Sequence, residues 1–157
     1  MGPFAFIRRA TLRLILRNAL ALEEQIYAHF LDLPEELAGL ELPPALRAIV
    51  EEEREHRRLL ERMIAGEVGE EELERARSAP SAHHLDQVEP LPRRYAPIRE
   101  KLEHIAEHER AIYEFFRSLY DKSRIPLVKR AFRFLTEQEE VHVRLLDRLL
   151  GGKEEGG

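Results

Sequence analysis

The chain has 157 residues, enough for one compact domain with a buried core and too few for two ordinary ones. Charged residues make up 35% and aromatics 7%, a mixture that suits long surface helices better than a sandwich of short strands. The net charge of −5 argues against nucleic acid as a main partner, which would need a surplus of Lys and Arg on one face, and the lack of cysteine excludes disulfides, thiolate zinc sites and iron–sulfur clusters within the chain.

Apolar residues recur at helical spacing in four long blocks. The first runs from about Phe4 to Leu33, with Leu12, Leu16, Ala19, Leu20, Ile26, Tyr27 and Phe30 on one face. Arg8, Arg9, Arg13 and Arg17 interrupt its first half, so no apolar run reaches the length of a signal sequence or a membrane span. A cytoplasmic protein with no membrane partner is the expectation. Phe4, Phe6, Ile7, Leu14 and Ile15 widen the apolar surface of this helix beyond what one core needs, which predicts a homodimer formed through it.

Pro34, Gly39 and Pro43-Pro44 punctuate the connection to a second helix, which reaches about Ile64 and is closed by Gly66 and Gly69. Residues 66 to 96 break the pattern with Ser78, Pro80, Ser81, Pro90 and Pro92, apart from a short helix expected at Glu70 to Arg77. A third helix is expected from near Pro97 to Tyr120 and a fourth from Pro126 to Gly151-Gly152. Residues 1–152 then form one four-helix bundle and 153–157 a disordered tail. Short, long, short is the connection pattern of an all-α, ferritin-like bundle running up, down, down, up, with the long crossover between the second and third helices.

Superimposed on these helices is a repeat with an offset of 86 residues and no gap. Its first copy holds Glu23, Ile26-Tyr27, Phe30, Glu53-x-x-His56 and Arg58-Leu59-Leu60; its second holds Glu109, Ile112-Tyr113, Phe116, Glu139-x-x-His142 and Arg144-Leu145-Leu146. The offset pairs the first helix with the third and the second with the fourth, so it predicts a pseudo-twofold axis through the bundle. Each Glu and His of the set falls where the helical period calls for an apolar residue: Glu23 between Leu20 and Ile26, Glu53 and His56 between Ile49 and Leu60. The other copy repeats this, with Glu109 between Ile105 and Ile112 and Glu139 and His142 between Leu135 and Leu146.

Four carboxylates aimed into one core would cost several kcal/mol each in lost solvation, a sum that rivals the ~5–15 kcal/mol by which a domain is stable. Two divalent cations remove the imbalance. The i, i+3 spacing puts Glu53 and His56 on one face, so that the carboxylate can bridge two ions while the imidazole binds one. Oxygen and nitrogen ligands without sulfur suit iron or manganese. A solvated face would explain any one of these residues in so charged a chain, but it leaves both the stripe and the repeat as accidents.

The pattern Glu, Glu-x-x-His, Glu, Glu-x-x-His resembles the di-iron carboxylate proteins of the ferritin-like superfamily, and within it the rubrerythrin and bacterioferritin branches. The resemblance covers about residues 5 to 150. It implies that Glu23, Glu53, His56, Glu109, Glu139 and His142 bind two irons, with manganese or a mixed iron–manganese pair as alternatives. Glu23 and Glu109 would be terminal ligands, Glu53 and Glu139 bridges; Glu23 and His56 would serve one ion, Glu109 and His142 the other. The activity implied is oxidation of Fe(II) coupled to reduction of O2 or H2O2, of ferroxidase or peroxidase type, in oxidant defence or iron handling, with an external electron donor. An oxygenase acting on an organic substrate and a non-catalytic metal-binding module are the alternatives. The chain departs from the rubrerythrin pattern at Ile112, where that family usually carries an additional glutamate that exchanges with a histidine.

Around the six ligands, Glu52 and Gln138 occupy matching positions at i, i+4 to the histidines and resemble acceptors that would fix the imidazole rings. Tyr27 and Tyr113, one turn beyond Glu23 and Glu109, are candidate catalytic residues, placed to hydrogen-bond a ligand carboxylate or donate an electron; packing with a satisfied hydroxyl is the competing reading. His29, His104 and His108 fall on the sides or backs of their helices and are expected to be solvated, and His83-His84 lies in the crossover.

Overall fold

The computed structural model describes residues 3–75 and 80–151, with side chains from residue 10 onward except those of residues 80 and 83. The expected disordered tail, the side chains of Phe4, Phe6 and Ile7, and the side chain of His83 lie outside the described residues. Five α-helices make up the fold: α1 (Pro3–Asp32), α2 (Pro44–Ile64), α3 (Glu70–Glu74), α4 (Ala96–Lys122) and α5 (Pro126–Leu149). No strand occurs among the described residues. α3 is shorter than the Glu70 to Arg77 expected of it, and the other helix ends fall within two residues of expectation.

Local chemistry explains the boundaries. Proline occupies the first turn of α2, α4 and α5, where its missing N–H has no helical partner to lose. At the end of α2, Gly66 takes a left-handed φ of 75°, and the Glu67 and Gly66 N–H groups donate to the Arg62 and Met63 carbonyls at 2.9 and 3.1 Å. This closure satisfies two carbonyls that the helix end would otherwise leave bare, and it turns Val68 back into the core.

α1 packs on α2 and α4 on α5, and the two hairpins meet through α1 with α4 and through α2 with α5. The Tyr95 hydroxyl, just before α4, donates to the Glu41 carbonyl, just before α2, so these two helices start at the same end and run parallel. α3, which follows α2, pairs with the first turns of α5 through Arg130 and Glu70 at 3.6 Å, so α2 and α5 are antiparallel. The order is therefore up, down, down, up. The crossover between α2 and α4 lays a 3₁₀ turn, Pro80–His84, over both α2 and α5.

Phe30, Phe116 and Phe132 are fully buried, and the last two rings lie 5.5 Å apart. Leu16, Ile26, Leu46, Ile49, Leu60, Ile98, Leu102 and Ile105 complete the interior. Into this apolar core the four long helices each send acidic or imidazole side chains at one level.

Candidate metal centre

Glu23 comes from α1, Glu53 and His56 from α2, Glu109 from α4, and Glu139 and His142 from α5; all six are buried, none more than 1% exposed. Helical spacing accounts for the pairs on α2 and α5, since residues three apart share a face. Packing of the apolar stripes around them then turns that face inward.

Two groups of converging ligand atoms result. Glu23, Glu53, His56 and Glu139 form one, and Glu53, Glu109, Glu139 and His142 the other, each with its oxygen and nitrogen atoms within 4.8 Å of one another. Glu53 and Glu139 belong to both groups, as bridging requires, while each histidine and each of Glu23 and Glu109 belongs to one. The His56 Nδ1 lies 3.1 Å from Glu139 and 3.8 Å from both Glu23 and Glu53. The His142 Nδ1 lies 2.9 Å from Glu53, 3.6 Å from Glu109 and 3.7 Å from Glu139. Both rings thus turn Nδ1 toward the carboxylates, and they stack with centroids 5.6 Å apart.

A protein core rarely tolerates a buried acceptor without a donor. Here both oxygens of Glu23, both of Glu109 and the Oε2 atoms of Glu53 and Glu139 find no hydrogen-bond donor in the protein. Six orphaned carboxylate oxygens around one level of a dry bundle fit two hard cations, and the two imidazole nitrogens complete an oxygen–nitrogen set that suits iron or manganese.

Proton affinities show the same pressure. Burial, and then the charges of Glu109, Glu139 and Glu23, push Glu53 well above the ordinary carboxylate range. Burial followed by Glu109 and Glu23 does the same to Glu139. Burial alone would disfavour a charged His56, yet Glu23 and then Glu53 outweigh it and raise the ring to about 9. His142 is likewise raised, against burial, by Glu109, Glu139, Glu52 and Glu53. Glu23 and Glu109 are lowered: burial opposes this, but proximity to Glu53 and His56 in one case and to Glu139 and His142 in the other prevails. Without cations, protons hold the site near neutrality.

The outer nitrogens of the rings are held too, but not as their sequence positions suggest. Glu52 does not serve His56, nor Gln138 His142. The His142 Nε2–H donates to Glu52 Oε2 at 2.5 Å, and the His56 Nε2–H donates to Gln138 Oε1, so each acceptor reaches across the α2–α5 groove to the other helix. Residues four apart on one helix lie one above the other along its axis, whereas a ring whose Nδ1 points into the core aims its Nε2 sideways at the neighbouring helix. Sequence reasoning passed over Ser81, noted only as a break in periodicity. It is fully buried, and its N–H and hydroxyl donate to Glu52 Oε1 and Oε2, each at 2.5 Å.

Neither tyrosine hydrogen-bonds a ligand carboxylate, since the oxygens of Glu23 and Glu109 have no donor. Tyr27 is half-buried, with the Arg57 guanidinium 4.7 Å above its ring, and Tyr113 is half-buried on α4. His29, His104 and His108, expected to be solvated, gather between α1 and α4 with ring centroids 4.5 to 5.7 Å apart; His104 is exposed and the other two are half-buried. Ile112, at the position of the additional glutamate, is buried on α4.

No helix among the described residues is long and apolar enough to cross a membrane. A family model described as Rubrerythrin matches residues 14–150. No curated protein and no solved structure matches the chain significantly.

Proposed function

The chain belongs to the rubrerythrin family, and from that premise we propose that its buried centre holds two iron ions and couples oxidation of Fe(II) to reduction of hydrogen peroxide or dioxygen. The observation that carries the proposal is the set of donorless carboxylate oxygens on Glu23, Glu53, Glu109 and Glu139, buried between two imidazoles whose Nδ1 atoms face them. Glu53 and Glu139 would bridge; Glu23 with His56, and Glu109 with His142, would each complete one ion's ligands.

When bound, two ferrous ions would supply one electron each, enough to reduce one H2O2, with two protons, to two waters, or one O2, with two protons, to H2O2. The chain's own work is positional. Packing fixes the six ligands, Glu52 and Gln138 hold the imidazole tautomer by accepting the Nε2 protons, and Ile26, Phe30, Ile112 and Phe116 keep bulk water from the centre. With Ile112 in place of a further carboxylate, no exchange of ligands between oxidation states is built in. Reduction back to Fe(II) would come from an external electron donor.

An oxygenase would need a cavity for an organic substrate beside the ligands. One cavity of about 300 Å³, lined by Leu12, Ile15, Leu119, Ile125 and Val128 among others, is bordered by none of the six residues.

Anaerobic titration with Fe(II) tests the reading: two ions per chain are expected to bind, and H2O2 or air to remove them from reaction with a ferrous-specific chelator. Glu53→Ala is expected to bind fewer than two ions and keep its helical circular dichroism, because it also relieves carboxylate crowding. Uptake of two ions that neither oxidant converts would leave a non-catalytic metal module.

A further inference from the structure

The 86-residue repeat makes the two halves of the centre equivalent in their ligands and inequivalent just behind them. Behind His142 stands a carboxylate, Glu52; behind His56 stands a neutral amide, Gln138, at the matching position of the repeat. Both acceptors are buried, Glu52 5% and Gln138 7% exposed, so neither difference is washed out by water.

Glu52 is also fixed in place by geometry. Ser81 N–H meets its Oε1, while the Ser81 hydroxyl and the His142 Nε2–H both meet its Oε2, so both of its oxygens are held by hydrogen bonds. Ser81 reaches this position because the crossover passes over α2 and α5 as the 3₁₀ turn Pro80–His84. A chain has only one such crossover. The break in symmetry therefore belongs to the topology as well as to the Glu-to-Gln difference.

A carboxylate accepting the distal N–H of a metal-bound imidazole makes that ring a stronger ligand, and it places a further negative charge behind the ion. An amide does neither to the same degree. We propose that Glu52, clamped by Ser81, is a positioning residue that makes the half of the centre formed by Glu109 and His142 the tighter metal site, filled before the half formed by Glu23 and His56. This rests on the two-ion reading above. It assigns to an ordered pair of sites what the sequence repeat alone would make a symmetric one.

Changes to such outer partners typically alter metal affinity about 10- to 100-fold, which is the occupancy ratio expected between the two halves. The probe is Mn(II), one equivalent per chain, located by anomalous scattering in crystals of the full-length protein, with a parallel titration to saturation in solution. In the unaltered chain the anomalous peak beside His142 is expected to exceed that beside His56 about 10-fold or more. The exchange variant Glu52→Gln with Gln138→Glu is expected to move the stronger peak to His56. Gln138→Glu alone, which leaves the Ser81 contacts untouched and does not depend on the exchange variant folding, is expected to equalise the two.

A position readout is chosen because repulsion between two bound cations would split the binding steps of even a symmetric centre. Equal peaks in the unaltered chain, or a preference that stays beside His142 in Gln138→Glu and the exchange variant, overturn the inference while leaving two-ion binding intact. Saturation at fewer than two ions per chain removes the two-ion reading and this inference with it.

Discussion

Glu53 and Glu139 are each fully buried beside three other carboxylates, and both are pushed well above the ordinary carboxylate range. Free of metal, they are held toward the protonated state, and His56 and His142 toward the imidazolium, while Glu23 and Glu109 stay ionised. Two divalent ions would displace those protons. Loading at pH 7 is therefore expected to release protons, measurable by calorimetry in buffers of different ionisation enthalpy. The same groups set the pH dependence of the metal-free protein. His56 is raised from 6.5 to about 9, so its contribution to stability is complete below pH 6.5 and is lost as pH climbs through 9. The loss expected in urea denaturation between these limits is about 3 kcal/mol, and it should vanish once ions occupy the centre. Stability of the metal-free protein that held constant across this range would contradict the protonated His56.

At the level of the elements, the four long helices are equal partners in the centre, but their ends are not equally robust. α2 stops through a left-handed glycine at 66, where the space around a Cβ is open and the backbone conformation alone resists substitution. Gly66→Ala is expected to lower stability by about 1 kcal/mol, whereas Gly69→Ala, at the start of α3 with φ −101° and equally open surroundings, should change it by a few tenths. Chemical denaturation of the two variants side by side isolates the backbone strain at 66, since neither added methyl meets a neighbour.

For the molecule as a whole, α1 carries the most exposed large apolar side chains among the described residues: Leu14 is 61% exposed and Leu31 51%, while Leu16, Ala19, Ile26 and Phe30 are buried. We propose a second copy of the chain as the partner for that outer face. Sedimentation equilibrium is expected to show a dimer at micromolar concentration, and Leu14→Glu to shift it toward monomer with Fe(II) uptake unchanged. A monomer in the unaltered chain would leave this surface without the partner proposed.

Much of this architecture was legible in the sequence. The four long helices, their proline starts and the burial of the six Glu and His residues all follow from the period of apolar residues along one helix and from a repeat that can be counted, both properties of a single dimension. What the sequence could not carry was any relation that crosses from one helix to another. Glu52 pairs with His142 and not with its own His56, Ser81 reaches inward from a segment that reads as a bare connection, and Tyr27 lies under Arg57 with no hydrogen bond to Glu23. These depend on the rotation and axial offset at which helices lock together, fixed by the interdigitation of Phe30, Phe116, Phe132 and their neighbours, and no pattern within one helix records how its neighbour is turned.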